Sequence, residues 1–151
     1  MRLATCALAA AALALGATAS SESARGCTPT RADSLGPFYE PGAPVRSRVG
    51  TGYVLSGRVL SARTCRPLAR ARIELWLANP SGEYDDAHRA TMFSRRDGRY
   101  RFVSNRPVSY GGRPPHIHIR ISARGFRTLV TQHYPRAGRS SGGFNLVLRR
   151  A

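Results

Sequence analysis

Fifteen glycines and ten prolines punctuate a chain of 151 residues, about one position in six against an ordinary one in eight. At that density long helices are interrupted before they can pack. That density disfavours a long-helix bundle or coiled coil and favours short strands joined by turns. The apolar pattern agrees. Residues 53–60 (YVLSGRVL) alternate, and 61–68 form a turn containing Cys65 and Pro67. In residues 71–78 (ARIELWLA), Ile73, Leu75 and Leu77 share one face and Arg72, Glu74 and Trp76 the other. Asn79-Pro80-Ser81-Gly82 breaks that strand. Asp97-Gly98 signals a tight turn before a strand at 100–103. Residues 106–115 read as loop, 116–123 (HIHIRISA) alternate strictly, and 128–134 and 144–148 read as further strands. Six or more short strands without a convincing helix predict an all-β fold, a β-sandwich over residues 53–151. Residues 20–52 are turn-rich and predict an irregular N-terminal arm packed on it. No internal repeat is visible.

Length excludes a multidomain enzyme and a polytopic membrane protein. Hydrophobic residues make up 42%, enough for a core. All 24 basic residues are arginine, and against eight acids they leave a net charge of +16. The arginines are spread over the whole chain rather than set in one stripe, so no nucleic-acid partner is expected. The charge should attract anionic surfaces and anionic aromatic acids in a salt-dependent way. Met1-Arg2, an apolar run over 3–15 and Ala17-Thr18-Ala19 together read as a signal peptide, residues 1–19, cleaved after Ala19. The protein is then exported, periplasmic or extracellular, with no stable membrane insertion after cleavage. An uncleaved anchor is the alternative, although the run is short for a membrane span. Cleavage removes Cys6 and leaves Cys27 and Cys65. An even pair in an exported chain suggests one disulfide, closing about 38 residues and stabilising the fold by roughly 4 kcal/mol; two free thiols are the other reading. Neither cysteine has metal-ligand spacing.

The chemistry concentrates at His116-Ile117-His118. On a strand, i and i+2 face the same way, so two imidazoles stand at the spacing of ligands to one metal. Alone, H-x-H equally fits two half-exposed strand histidines. Arg113-Pro114-Pro115 stiffens the approach and holds Arg113 nearby. Tyr110 lies six residues upstream of the first histidine, and Tyr84 follows the Gly82 turn beyond the Trp76 strand. Each tyrosine by itself fits ordinary packing.

The combination resembles the intradiol ring-cleavage dioxygenases, in a small secreted single-domain form. The matching segments are GPFY (36–39), SGRVL (56–60), IELWLANPSGEY (73–84), DGRYRF (97–102), RPVSYGGRPPHIHIRI (106–121), GF (125–126) and LVTQHY (129–134). They extend over roughly residues 27–150. The resemblance implies a non-haem Fe(III) held by Tyr84, Tyr110, His116 and His118. It implies catalytic roles for Tyr110, Arg113 and Gln132, and a substrate pocket including Gly36, Pro37, Phe38, Tyr39, Arg113 and Gln132. It implies a catecholic substrate and O2, with both oxygen atoms inserted between the two hydroxyl-bearing carbons to give a cis,cis-muconate. A catechol would displace Tyr110 and leave Tyr84 bound.

The ligand set suits the metal. Phenolate is a hard anionic donor matched to hard Fe(III), and the metal's charge overcomes a phenol pKa near 10. Arg113 is placed to stabilise charge developing on the substrate. Two departures from the family pattern leave the substrate open: only Gly111-Gly112 separate Tyr110 from Arg113, and the segment between Tyr84 and Asp97 is short. His133 reads as a surface residue and His88 as part of an exposed loop. A transthyretin-like binding module without catalysis would explain the strands but not the four spaced ligands. Iron binding for another purpose keeps fold and metal alike. The oligomeric state cannot be read from the sequence.

Overall fold

The computed structural model describes residues 26–151. The proposed signal segment, residues 1–19, lies outside the described residues. Among the described residues, the regular structure is all β except for one 3-10 turn at Asp86–His88. The strands are β1 (Gly52–Ser61), β2 (Arg72–Trp76), β3 (Arg89–Phe93), β4 (Arg99–Asn105), β5 (Ile117–Ser122), β6 (Leu129–His133), β7 (Ser141–Gly143) and β8 (Leu146–Leu148). They form two four-stranded sheets. In the first, β4 pairs antiparallel with β1, while β7 and β8 pair parallel with successive stretches of β1. The second is antiparallel throughout, in the order β3-β2-β5-β6. Leu55, Val59, Phe102, Leu146 and Leu148 from the first sheet are fully buried with Ile73, Leu75, Ile117, Ile119 and Ile121 from the second. This is the interleaved core of a β-sandwich.

Two strands lie outside the sequence expectation. β3 is Arg-Ala-Thr-Met-Phe, whose inward residues Ala90 and Met92 are too small and too few for a clear alternation. β7 is Ser-Gly-Gly and has no periodicity at all. The two faces of β2 are as expected. Ile73, Leu75 and Leu77 are buried as expected, but so are Glu74 and Trp76 on the opposite side of β2. The outer face of the second sheet is covered.

The cover is the chain before β1. Cys27 and Thr30 donate backbone hydrogen bonds to Ala62 and Val147, and Asp33 donates to Val130, so this stretch joins the β1–β8 side of one sheet to β6 of the other. After crossing the face, Arg46 donates to the Thr91 carbonyl while Thr91 donates to Pro44, and Val49 donates to the Val103 carbonyl while Val103 donates to Ser47. That ties β3 to β4. Residues 27–49 thus strap both open sides of the sandwich and occupy edges that would otherwise expose unpaired backbone groups. Cys27 and Cys65 are bridged, which fastens the start of the strap to the β1–β2 turn. Among the described residues no helix is long and apolar enough to cross a membrane.

Candidate metal centre

Each side chain of the centre is aimed by a local device. His118 sits on β5 in register with Trp76 on one neighbour and Gln132 on the other, so these three share the outer face. Trp76 stacks on the His118 ring at 4.9 Å between centroids and 4° between planes, leaving the imidazole no room to turn. His116 lies just before β5. Its Nδ1 donates to the Pro114 carbonyl at 2.7 Å, which fixes the tautomer and leaves Nε2 as a bare lone pair.

Tyr84 comes from a turn built around Asn79. The Asn79 side-chain oxygen accepts from the backbone N–H of Ser81 and Glu83, and its amide donates to Asp85. Gly82, at φ +85°, lets the chain reverse. Tyr110 comes from a hairpin. Tyr110 and Arg113 exchange both backbone hydrogen bonds across Gly111 and Gly112. Both glycines have positive φ, 53° and 76°, which a two-residue turn with the twist of a hairpin requires. The two-glycine loop is therefore a complete tight turn that sets Tyr110 and Arg113 opposite each other.

These devices bring the expected residues together. The Tyr84 hydroxyl lies 3.1 Å from His118 Nε2 and 3.4 Å from His116 Nε2, and the two Nε2 atoms are 3.1 Å apart. The Tyr110 ring stands edge-on to Tyr84 at 5.2 Å. Phe38 stacks on Tyr84 at 4.4 Å and meets Tyr110 edge-on. Gly36 packs against the His118 ring, where a Cβ would come within 3.0 Å of Cε1. Arg113 donates to the Gln132 side-chain oxygen at 2.8 Å and to the Tyr134 hydroxyl at 2.9 Å. Gln132 is itself oriented by donating to the Ser34 carbonyl. Tyr39 is not brought to the cluster. It packs on Trp76, and its hydroxyl donates to Glu74 at 3.1 Å, one layer behind His118. Pro37 is exposed between Gly36 and Phe38.

The electrostatics fit a highly charged cation. Burial, with His116 and Arg113 adding to it, lowers the His118 pKa to about 4, and burial lowers His116 as well. Both imidazoles are neutral near pH 7, with lone pairs free for a metal. Burial raises Tyr84 to about 12, and Tyr110 adds to the shift. Its phenol stays protonated unless a strong positive charge arrives. Among the described residues no three His, Cys, Asp or Glu side chains gather as a metal cluster. Here the oxygen donors are phenols, and the mixed phenol–imidazole set suits ferric iron.

Four contributors escaped the sequence reading. Trp76 and Tyr134 each have a visible signal: Trp76 is in phase with Glu74 on β2, and Tyr134 closes the LVTQHY segment. Glu74 is buried and accepts from Arg72 and Arg120 as well as Tyr39. Arg89 is buried and donates to the Phe38 carbonyl and Glu40, anchoring the arm from below. Two expectations are corrected. His133 is buried rather than at the surface, with Nε2 2.7 Å from the Tyr53 hydroxyl, because it is in phase with the core-facing positions of β6. His88 is half-buried in the 3-10 turn, its Nδ1 2.7 Å from Asp85.

The sequence model of the family described as Dioxygenase matches residues 42–139. Catechol 1,2-dioxygenase 2 of Acinetobacter lwoffii is 36% identical, over 64% of this chain and 48% of that protein. Hydroxyquinol 1,2-dioxygenase of Nocardioides simplex is 32% identical, over 68% and 46%. The chain spans about half the length of the curated relatives it matches. Among solved structures, the dioxygenase domain of a dioxygenase carbohydrate-binding protein fusion from the cellulolytic bacterium Streptomyces sp. SirexAA-E aligns with a TM-score of 0.74 and 29% identity, covering 82% of this chain and 100% of that one. An intradiol ring-cleavage dioxygenase from Tetranychus urticae aligns with a TM-score of 0.72 over 82% and 95%; at 19% identity that likeness is one of fold.

Proposed function

The chain belongs to the intradiol ring-cleavage dioxygenase family, and from that premise we propose that it is a non-haem Fe(III) enzyme cleaving a catechol-type ring between its two hydroxyl-bearing carbons. The observation that carries the reading is the convergence of Tyr84 Oη, His116 Nε2 and His118 Nε2 within 3.1–3.4 Å, with Tyr110 beside them. These four side chains would hold the iron. Bound there, ferric iron would take both catechol oxygens and make the ring carbon open to attack by O2. The balance is closed: one carbon–carbon bond breaks, both atoms of O2 enter the product, and a dicarboxylic acid of the cis,cis-muconate type forms without an outside reductant.

The protein's own residues do the rest. Tyr110 sits on a tight turn of two exposed glycines. In the proposed reaction it would give way to the substrate and accept a hydroxyl proton at its Oη. Arg113 is held by Gln132 and Tyr134 so that its cation faces the neutral imidazoles and the negative charge that develops on the substrate. Phe38, stacked on Tyr84, would shield one face of that ring from water. Export is part of the same reading. The Cys27–Cys65 bridge supports an oxidising compartment, as does the signal-like start of the sequence.

The test is iron quantitation and visible spectroscopy on the purified full chain, then oxygen uptake with catechol, hydroxyquinol and protocatechuate. Tyrosinate bound to Fe(III) gives a reddish charge-transfer colour. Tyr84→Phe and His118→Ala should lose iron or colour and ring cleavage. Full iron content in both variants would refute the coordination, and absence of oxygen uptake with all three catechols would refute the activity.

A further inference from the structure

Four arginines that are scattered along the sequence come side by side on the outer face of the first sheet. Arg58 of β1 stands in register with Arg99 of β4. The Val59 N–H donates to the Gly98 carbonyl at 2.8 Å. Arg58 and Arg99 are therefore a non-hydrogen-bonded pair, the kind whose side chains come closest across an antiparallel ladder. Arg101 follows on the same face, opposite Ser56. The Arg95 N–H donates to the Arg99 carbonyl at 2.9 Å across the turn before β4, so Arg95 flanks Arg99 on its other side. Like charges directly opposite each other destabilise a sheet, and little offsets them here. Asp97 pairs with Arg99 at 3.3 Å. Among the described residues the guanidiniums of Arg58, Arg95 and Arg101 make no hydrogen bond or ion pair. All four arginines are exposed. Two open hollows of about 480 Å³ each adjoin at this point. They share Arg95, Arg99 and Arg101 and so form one furrow, from Arg58 and Asn145 at one end to Val45 and Phe93 at the other. No acidic side chain lines it, and none of its residues belongs to the candidate metal centre.

We propose that this furrow docks a linear acidic polysaccharide of the polyuronate kind, its carboxylates on Arg58, Arg95, Arg99 and Arg101. Charge complementarity carries the assignment: three guanidiniums without partners present the planar forks that carboxylates take in pairs of hydrogen bonds. The furrow joins two hollows end to end, so a chain with repeated charges fills it and a single small anion does not. Its floor suits a hydroxyl-rich occupant. Ser56 offers a hydroxyl, and Asn145, whose side-chain oxygen accepts from the Arg58 N–H, keeps its amide N–H groups for a ligand. Single-stranded nucleic acid would need rings on which successive bases stack. The Tyr100 ring is buried, with its hydroxyl on the Phe144 carbonyl. That leaves Phe93, half-exposed at the far end, which offers a face to one sugar ring. An acidic peptide added as a strand would need a free sheet edge, and the strap already pairs with β3 at Thr91 and with β4 at Val103.

The experiment is a calorimetric titration of the purified full chain with oligogalacturonate. It reads binding without iron or turnover, so its failure and that of the proposed ring cleavage are separate results. Saturable binding is expected, weakening as salt is added. The methyl-esterified oligomer, the same chain without its charges, should bind at least about tenfold more weakly. Arg58→Gln with Arg101→Gln should weaken the acidic oligomer by about tenfold, the size expected for two exposed charge-assisted contacts. These variants relieve the repulsion between Arg58 and Arg99, so the free protein should melt no lower than the natural chain, and lost binding is then not lost fold. Arg63→Gln with Arg124→Gln, an equal loss of charge outside the furrow, should leave binding unchanged. Absence of saturable binding would overturn the proposal. So would equal weakening in both double variants, which means diffuse attraction to a basic surface. Tighter binding of single-stranded DNA or of phosphatidylserine vesicles, lost in Arg58→Gln with Arg101→Gln, would assign the furrow to a nucleic acid or a membrane and overturn it as well.

Discussion

Gly36 is the point at which the strap touches the proposed metal centre, and it gives the sharpest test of how that centre is held. Its φ is +71°, and a Cβ there would lie 3.0 Å from His118 Cε1. Alanine at 36 carries two separate costs. The left-handed backbone costs about 1–2 kcal/mol for any residue with a Cβ. The contact is tighter than the roughly 3.5–4.0 Å at which carbon atoms attract, so something must give by about half an ångström. His118 cannot retreat, because Trp76 is stacked flat behind it at 4.9 Å. The 34–38 turn must move, and it carries Phe38, whose ring lies on Tyr84. Gly42 is the control. It has φ +85° and nothing within 4 Å of a Cβ, so Gly42→Ala bears only the backbone cost. Thermal melts should show about 1–2 kcal/mol lost in Gly42→Ala, a fall in Tm of roughly 3–10 °C, and about 1 kcal/mol more in Gly36→Ala. Only Gly36→Ala should shift the tyrosinate charge-transfer band and weaken iron in a titration followed by absorbance. If the two variants melt together and bind iron alike, the strap does not brace His118 and the reasoning fails.

Glu74 offers a test of the layer behind the centre. Its side chain is 4% exposed, while Arg72 and Arg120 beside it are 43% and 33% exposed. Glu74→Leu strands those donors, but both can rehydrate, so the loss in urea denaturation should be about 2–3 kcal/mol, below the 3–5 of a fully buried pair; a loss under about 0.5 kcal/mol would contradict the structure. Removing the bridge in Cys27→Ser with Cys65→Ser should cost up to about 4 kcal/mol by the loop-entropy account, seen as a lower urea midpoint. Burial lowers the His133 pKa, so its stability contribution is intact above the unfolded value of about 6.5. That contribution is lost as pH falls from there toward the lower folded value, because the unfolded chain binds the proton first. In metal-free protein, His133→Gln should flatten the acid limb of stability against pH by about one proton of slope, measured by melts from pH 7 to 4; an unchanged limb would contradict its burial.

The strands were legible where one face alternates without interruption, as in the HIHIRISA stretch. The centre was legible because its four side chains stand in segments whose turn residues were visible too. What could not be read is what lies on top of a sheet. Glu74 and Trp76 alternate with Ile73 and Leu75 as solvent-facing residues would, and only the strap crossing above them makes both sides of β2 interior. β7 was illegible for a different reason. In this Ser-Gly-Gly strand Gly142 sits where the Tyr53–His133 pair leaves no space for a Cβ, a property of its neighbours. His133 was readable in principle, since it keeps phase with Leu129; in the structure Ile117 lies opposite it in register.

The short loops take on a different meaning once the strap is seen. A pocket needs walls, and two segments that could supply them, between Tyr110 and Arg113 and between Tyr84 and Asp97, are cut close. The walls on the other side come from Gly36 and Phe38 of the strap, clamped by Arg89 on the Phe38 carbonyl and by Gln132 on the Ser34 carbonyl. Above Tyr110 there is only Gly111-Gly112, exposed and with nothing within 4 Å of a Cβ at either. Ring substituents pointing that way would meet solvent rather than protein. If the proposed ring cleavage holds, discrimination among catechols would not rest on steric exclusion at that side. The charge of Arg113, braced by Gln132 and Tyr134, would then favour rings carrying an anionic group within its reach, a preference that salt would screen.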